Sequence, residues 1–115
     1  MTAAYIVLVT APSRKEADHI AQVLVEEKLA ACVSIIPEIY SRYWWQGRIE
    51  NGEELLLMIK TLPKRFKSLS KRIKELHSYT VPEILALPVA EGSKAYLEWM
   101  NESLASQRVS KKASK

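Results

Sequence analysis

Residues 53–61 read Glu-Glu-Leu-Leu-Leu-Met-Ile-Lys-Thr. The five successive apolar residues Leu55–Ile59 have the length and composition of a strand interior. Side chains along a strand alternate between its two faces, so this one presents apolar groups on both. The same doubling recurs in Tyr5-Ile6-Val7-Leu8-Val9 and in Ile84-Leu85-Ala86-Leu87. A sheet with helices on one side only should instead alternate apolar and polar residues.

Working outward, Ala4–Thr10 is a first strand, ended by Ala11-Pro12-Ser13. Ser13 and Glu16 have capping-box spacing, which starts a helix whose inner stripe is Ala17, Ile20, Ala21 and Leu24. Ala30–Ile36 is a second strand, interrupted by Pro37, and Ile39–Trp45 continues extended. Gln46-Gly47 and Asn51-Gly52 are both turn signals, the second the stronger by residue chemistry. After the third strand, Pro63 opens a second helix with Phe66, Leu69, Ile73 and Leu76 inside. Lys64, Arg65, Lys67, Lys71, Arg72 and Lys74 lie outside. A fourth strand, Glu83–Leu87, is bracketed by Pro82 and Pro88 and belongs at a sheet margin. Ser93 caps a last helix carrying Tyr96, Leu97, Met100 and Leu104.

The order is β-α-β-β-α-β plus a terminal helix: an α+β, ferredoxin-like split βαβ fold. Two right-handed crossovers place both main helices on one face of an antiparallel sheet. The other, equally apolar face needs a cover that the terminal helix is too small to supply. A second copy of the same sheet is the expected cover, and hence a homo-oligomer.

At 115 residues with 48% apolar and 26% charged residues, the chain is one ordinary globular domain. Three glycines, at 47, 52 and 92, are too dispersed for a GxGxxG or Walker loop. The single cysteine, Cys32, excludes an internal disulfide and any CxxC motif, and fits a reducing compartment. No apolar run reaches the roughly 18 residues of a membrane span, and Met1–Tyr5 has no signal-peptide character. The expectation is a soluble cytoplasmic protein. Net charge is +4. Arg108, Lys111, Lys112 and Lys115 account for the whole excess, so residues 1–105 are neutral and form the domain. Residues 106–115 read as a basic, disordered tail.

Few residues offer chemistry. Cys32 in its strand is either an inert small hydrophobe or a soft thiolate ligand. His77 closes the second helix, where it either complements the dipole or serves a site with Tyr79 and Glu83. His19, beside Asp18, falls on the solvated face of the first helix. Adjacent Trp44 and Trp45 point to opposite faces, one toward a core and the other toward a cleft or interface. Lys60, ending an apolar strand, needs a partner such as Glu54 or an anion. Asp18 is the only aspartate, so no Ser/His/Asp triad assembles, and the glutamates read as scattered surface positions.

Ala31-Cys32-Val33-Ser34-Ile35-Ile36-Pro37, Tyr43-Trp44-Trp45-Gln46-Gly47-Arg48-Ile49-Glu50 and Leu56-Leu57-Met58-Ile59-Lys60-Thr61 resemble the CutA divalent-cation tolerance family. His77-Ser78-Tyr79, Val81-Pro82-Glu83 and Leu87-Pro88-Val89 extend the resemblance in order, over about residues 4 to 104. Ser78 stands where proline is common. The resemblance implies a ferredoxin-like subunit in a tight homotrimer joined through its sheets, sharing the plan of nitrogen-regulatory signal trimers. It puts the turn at Gln46-Gly47, with Asn51-Gly52 as a kink or bulge. It implies a divalent-metal-binding or metal-responsive protein, copper favoured, and not an enzyme. Cys32 and His77 would be metal ligands drawn from more than one chain. Inter-subunit clefts would be lined by Trp45, Lys60, Tyr79 and Glu83, without an organic cofactor. The alternative is a signal-transduction trimer that holds a small molecule or anion in the same clefts, with incidental metal binding. RNA binding through the sheet is disfavoured, because the central strands are aliphatic where such sheets carry aromatics. The basic helix 63–77 is left as a phosphate contact.

Overall fold

The doubly apolar stretch 55–59 lies in a central strand of a four-stranded antiparallel sheet. The computed structural model describes residues 3–105, so the basic segment 106–115 lies outside the described residues. In chain order the elements are β1 (Tyr5–Ala11), α1 (Arg14–Glu26), β2 (Cys32–Trp45), β3 (Arg48–Thr61), α2 (Phe66–Leu76), β4 (Leu85–Pro88) and α3 (Lys94–Ala105). A single 3-10 turn, Pro63–Arg65, leads into α2. The sheet order is β2-β3-β1-β4.

Register divides the apolar strands into two faces. Val7 lies opposite Ile59, Val9 opposite Leu57 and Ala11 opposite Leu55. These residues form the main core with Ala17, Ile20 and Leu24 of α1 and Leu69 and Ile73 of α2. The other parity carries Ile6, Leu8, Leu56 and Met58, paired laterally with Leu87, Leu85, Ile36 and Ser34. That face has no helix over it: Leu85 is 57% exposed, Leu87 48% and Ile36 40%. Burying what remains of each would contribute on the order of 1 kcal/mol. α3 does not cover it either. Its buried Met100 and Leu104 pack on Ala4 and Leu62 in a separate cluster.

Local chemistry explains the departures from the sequence reading. Pro37 does not interrupt the second strand. β2 runs from Cys32 to Trp45, and a register shift between Ile36 and Ile39 absorbs the residue that cannot donate. The hairpin turns at Gln46-Gly47, whose φ values of 50° and 78° are the paired left-handed conformations of a two-residue turn. Asn51-Gly52 is neither turn nor bulge. Asn51 stays in the ladder opposite Arg42, whose Nε donates to Asn51 Oδ1 at 2.7 Å. β4 begins at Leu85 rather than Glu83 and is an edge strand, as its prolines require.

The capping box is half realised. Glu16 N–H donates to Ser13 Oγ at 3.2 Å, but the Glu16 carboxylate turns away to accept from Ser78 N–H at 2.9 Å. That diversion ties the start of α1 to the segment following α2.

Candidate functional site

Two sets of polar residues stand at opposite ends of the open sheet face. At one end, the extended β2–β3 hairpin and residues 78–83 enclose a cleft of about 860 Å³. Ser41, Tyr43 and Trp45 line it from β2, Glu54 from β3, and Tyr79 and Glu83 from the connection before β4. Glu54 shares its parity with Leu56 and Met58, and it is only 7% exposed. Two hydroxyls satisfy its carboxylate: Ser41 Oγ donates to Oε1 at 2.7 Å and Tyr79 Oη to Oε2 at 2.6 Å. Burial, then the hydrogen bond to Glu54, push the Tyr79 phenol well above its ordinary value. Burial, then the charge of Glu54, also raise the Glu83 carboxyl. The cleft thus gathers two carboxyl groups, Glu54 and Glu83, against the single cation Arg42, within aromatic walls.

His77 lies behind this pocket rather than in it. Its backbone ends α2 in an extended conformation, and its side chain is fully buried. Nε2 donates to the Thr10 carbonyl at 2.7 Å, and Nδ1 accepts from Tyr79 N–H at 3.1 Å. A carbonyl only accepts, so the ring carries its proton on Nε2 and offers the Nδ1 lone pair to Tyr79. Glu16 Oε2 stands 3.3 Å from Nδ1 while holding Ser78 through its N–H and Oγ. With both nitrogens engaged, the imidazole fixes the backbone that carries Tyr79 into the cleft, and its ring packs on the Tyr79 ring at 4.7 Å between centroids.

At the other end stands Cys32, half-buried at the start of β2 and opposite Lys60 of β3. Lys60 does not pair with Glu54. Its Nζ donates to Ser34 Oγ at 2.7 Å and lies 3.8 Å from Cys32 Sγ. Burial, then the neighbouring Cys32 thiol, raise the Tyr96 phenol of α3, and Tyr96 in turn packs on Trp99.

The expected site residues thus fall into two groups. Trp45, Tyr79 and Glu83 share the cleft, whereas Lys60 sits with Cys32. Cys32 and His77 are not neighbours within the chain: Cys32 lies abreast of Ile6 through Lys60, and His77 binds Thr10, four residues further along β1. Among the described residues no group of three or more His, Cys, Asp or Glu side chains is placed to hold a metal ion. Neither tryptophan is core: Trp44 is 71% exposed and Trp45 44%, because the hairpin arm extends beyond the helix layer. His19 is exposed as expected. The glutamates are not all surface positions. Glu54 was legible only as a carboxylate abutting the apolar run 55–59, at the parity of Leu56.

Among the described residues no helix is long and apolar enough to cross a membrane. The family model for the CutA1 divalent ion tolerance protein matches residues 5–103. A divalent-cation tolerance protein CutA from Thermus thermophilus is 53% identical over 98 residues, covering 85% of this chain and 95% of the relative. A solved Thermus structure superposes with a TM-score of 0.85 at 52% identity, covering 87% of this chain and 97% of that one. A solved Archaeoglobus fulgidus protein, described as a periplasmic divalent cation tolerance protein, has a TM-score of 0.85 at 42% identity, covering 88% and 98% of the two chains. A rice relative described as chloroplastic is 43% identical over 98 residues, 85% of this chain and 55% of its own length. By sequence over 5–103, and by fold, the chain belongs to the CutA1 divalent-ion tolerance family.

Proposed function

We propose that the protein is a cyclic homotrimer of ferredoxin-like subunits, located in the cytoplasm, that binds divalent metal ions, copper first, between neighbouring subunits. The observation that carries this reading is Cys32, a half-buried thiol at the margin of an uncovered apolar sheet face, in a chain whose described residues form no metal-ligand cluster. A cyclic trimer uses heterologous interfaces, which join unlike patches of neighbouring subunits and so allow one end of the open face to meet the opposite end of its neighbour's. Here the Lys60–Cys32 end is cationic and the Glu54–Glu83 end is acidic, which suits that pairing. Cys32 supplies a soft sulfur donor suited to copper, and the acidic cleft of the adjoining subunit supplies oxygen donors. His77 enters as a positioning residue, since ligation through Nδ1 would displace the Tyr79 N–H and ligation through Nε2 would displace the Thr10 carbonyl. The reading is of a binding protein rather than an enzyme. Ser78 Oγ is engaged by Glu16 and the His77 ring by Thr10 and Tyr79, so these residues form no nucleophile–base pair.

The test is a copper titration of the reduced protein against a competing chelator, with native mass measurement. Saturation at a fixed ratio per subunit in a trimer, lost in Cys32→Ser, supports the site. Non-saturating uptake that is indifferent to Cys32→Ser refutes it.

A second reading rests on the aromatic walls of the cleft and on Lys60, which has no carboxylate partner among the described residues. It takes a small organic or anionic ligand as the signal and metal uptake as incidental. Ligands that raise the melting temperature of wild type but not of Lys60→Met favour it.

A further inference from the structure

The cleft at the hairpin end of the open face carries negative charge that its own residues do not balance. Glu54 is buried, and its two oxygens accept from hydroxyls alone, Ser41 Oγ at 2.7 Å and Tyr79 Oη at 2.6 Å. Neither Glu54 nor Glu83 forms an ion pair among the described residues. Burial, then the charge of Glu54, raise the Glu83 carboxyl, so the two acids stand close enough to repel. Arg42, the one cation among the described lining residues, is turned elsewhere. Its Nε donates to Asn51 Oδ1 at 2.7 Å, and its guanidinium lies 5.8 Å from the centre of the Tyr40 ring. Residues 40 and 42 share one face of β2, whereas Ser41, which reaches Glu54, shares the other with Tyr43 and Trp45. The walls on the Glu54 side are therefore aromatic, completed by Tyr79. Between them the floor is bare backbone. A Cβ added at Gly52, opposite Ser41, would meet only the Tyr43 hydroxyl, at 3.9 Å.

We infer that the cleft binds a small organic ammonium ion, its charged head at Glu54 and Glu83 and its body against the rings of Tyr43, Trp45 and Tyr79. This rests on the second reading above, in which the cleft holds a small organic ligand, and it fixes the sign of that ligand's charge. The face of an aromatic ring attracts a cation through its quadrupole, more strongly where water is excluded. An anion would instead meet two carboxyl groups and, among the described residues, no cation turned toward it. Lys60 stands with Cys32 and Ser34 at the opposite end of the face. A bare metal ion is the weaker fit to the cleft itself. Aromatic ring faces supply it no donor atom, and no trio of ligating side chains converges there among the described residues. A volume of about 860 Å³ suits a molecule with an organic body rather than a single ion.

The test is a tryptophan-fluorescence titration of the metal-free full chain at neutral pH. Three probes share a phenyl body and differ in charge: phenethylamine, phenethyl alcohol and phenylacetate. The amine should bind at least about tenfold more tightly than the other two, the factor expected of a hydrogen bond to a charged group. Glu54→Gln and Glu83→Gln should each remove about that factor for the amine and leave the alcohol unchanged. Glu83 is exposed, so Glu83→Gln carries the test should Glu54→Gln fail to fold. Trp45→Leu, followed by thermal shift, should weaken the amine by about three- to tenfold. Equal binding of all three probes, or a preference for phenylacetate, would overturn the inference and leave the small-ligand reading standing, provided Trp45→Leu weakens it. No binding of any probe would overturn both. Amine binding indifferent to Glu54→Gln and Glu83→Gln, or present only in Lys60→Met, would also overturn the inference. The latter result would show that a neighbouring subunit's lysine already neutralises the cleft.

Discussion

Replacing His77 separates a positioning histidine from a metal ligand. In His77→Ala, the Thr10 carbonyl loses its donor and Tyr79 N–H loses its acceptor. Each hydrogen bond is worth about 0.5–1.5 kcal/mol net, and leaving a buried partner orphaned costs about 1–3 kcal/mol. His77 is buried at a junction of three elements, so water is poorly placed to replace both bonds. The expected loss is therefore about 3–5 kcal/mol. His77→Asn should cost less, about 1–2 kcal/mol, because an asparagine side-chain oxygen can accept from the N–H two residues on, as Nδ1 does from Tyr79. Cys32→Ser, at a half-buried position, should stay within about 1 kcal/mol. The assay is urea denaturation of the three variants and wild type at equal subunit concentration, paired with chelator-competed copper titration on the folded forms. The expected pattern is crossed: His77→Asn destabilises yet retains copper affinity within a few-fold, and Cys32→Ser does the reverse. A His77→Ala midpoint indistinguishable from wild type would refute the assigned hydrogen-bond role. A folded His77→Asn that lost copper as completely as Cys32→Ser would make His77 a ligand.

Three further outcomes follow from the geometry. Glu83 has a raised folded-state pKa, so its ionisation opposes folding. Glu83→Gln should accordingly be more stable than wild type at neutral pH. That advantage should disappear as pH falls below the ordinary glutamate value of 4.5, which urea midpoints at pH 7 and pH 4 can check. Gly47→Ala should cost about 1 kcal/mol, read from a denaturation midpoint: φ is 78° and nothing lies within 4 Å of an added Cβ, so the penalty is backbone strain alone. Leu87→Glu places a charge on the open face opposite Ile6 and should lower the native mass toward that of one subunit while leaving the circular dichroism spectrum unchanged.

Periodicity and capping disclosed most of the architecture. Ser13, Pro63 and Ser93 each stand where a helical segment begins, and the stripes Ala17–Ile20–Leu24 and Leu69–Ile73 are the ones buried. What misled was local turn chemistry. Asn51-Gly52 is intrinsically the better turn, but choosing it would move the tip of the hairpin and shift every pair from Trp45–Arg48 inward. Gln46 accepts a φ of 50° instead, a local strain offset by a ladder that extends inward through the Tyr43–Glu50 pair to Val33–Ile59. Pro37 misled for the opposite reason. Proline excludes one ladder donor, but a bulge accommodates that loss without ending the strand.

The site was less legible than the fold, and the cause lies in where the open face falls. Residues 55–59 are apolar on both parities although the helices cover one side only, which leaves one apolar face open. The chemistry that borders the uncovered side was split between positions distant in sequence: Cys32 and Lys60 at one end, Ser41, Glu54, Tyr79 and Glu83 at the other. Among the described residues no ligand cluster forms within one chain, and the proposed assembly requires none, since each contact there joins unlike ends of two subunits. Glu54 illustrates the difficulty. Sequence alone shows a glutamate beside another glutamate, and only the register that sets it on the face of Leu56 and Met58 reveals a buried carboxylate held by two hydroxyls. A carboxylate buried without a cation of its own is costly in an isolated subunit. Its position facing the uncovered side is understandable if the missing positive charge, a metal ion or the Lys60 end of a neighbour, arrives on assembly.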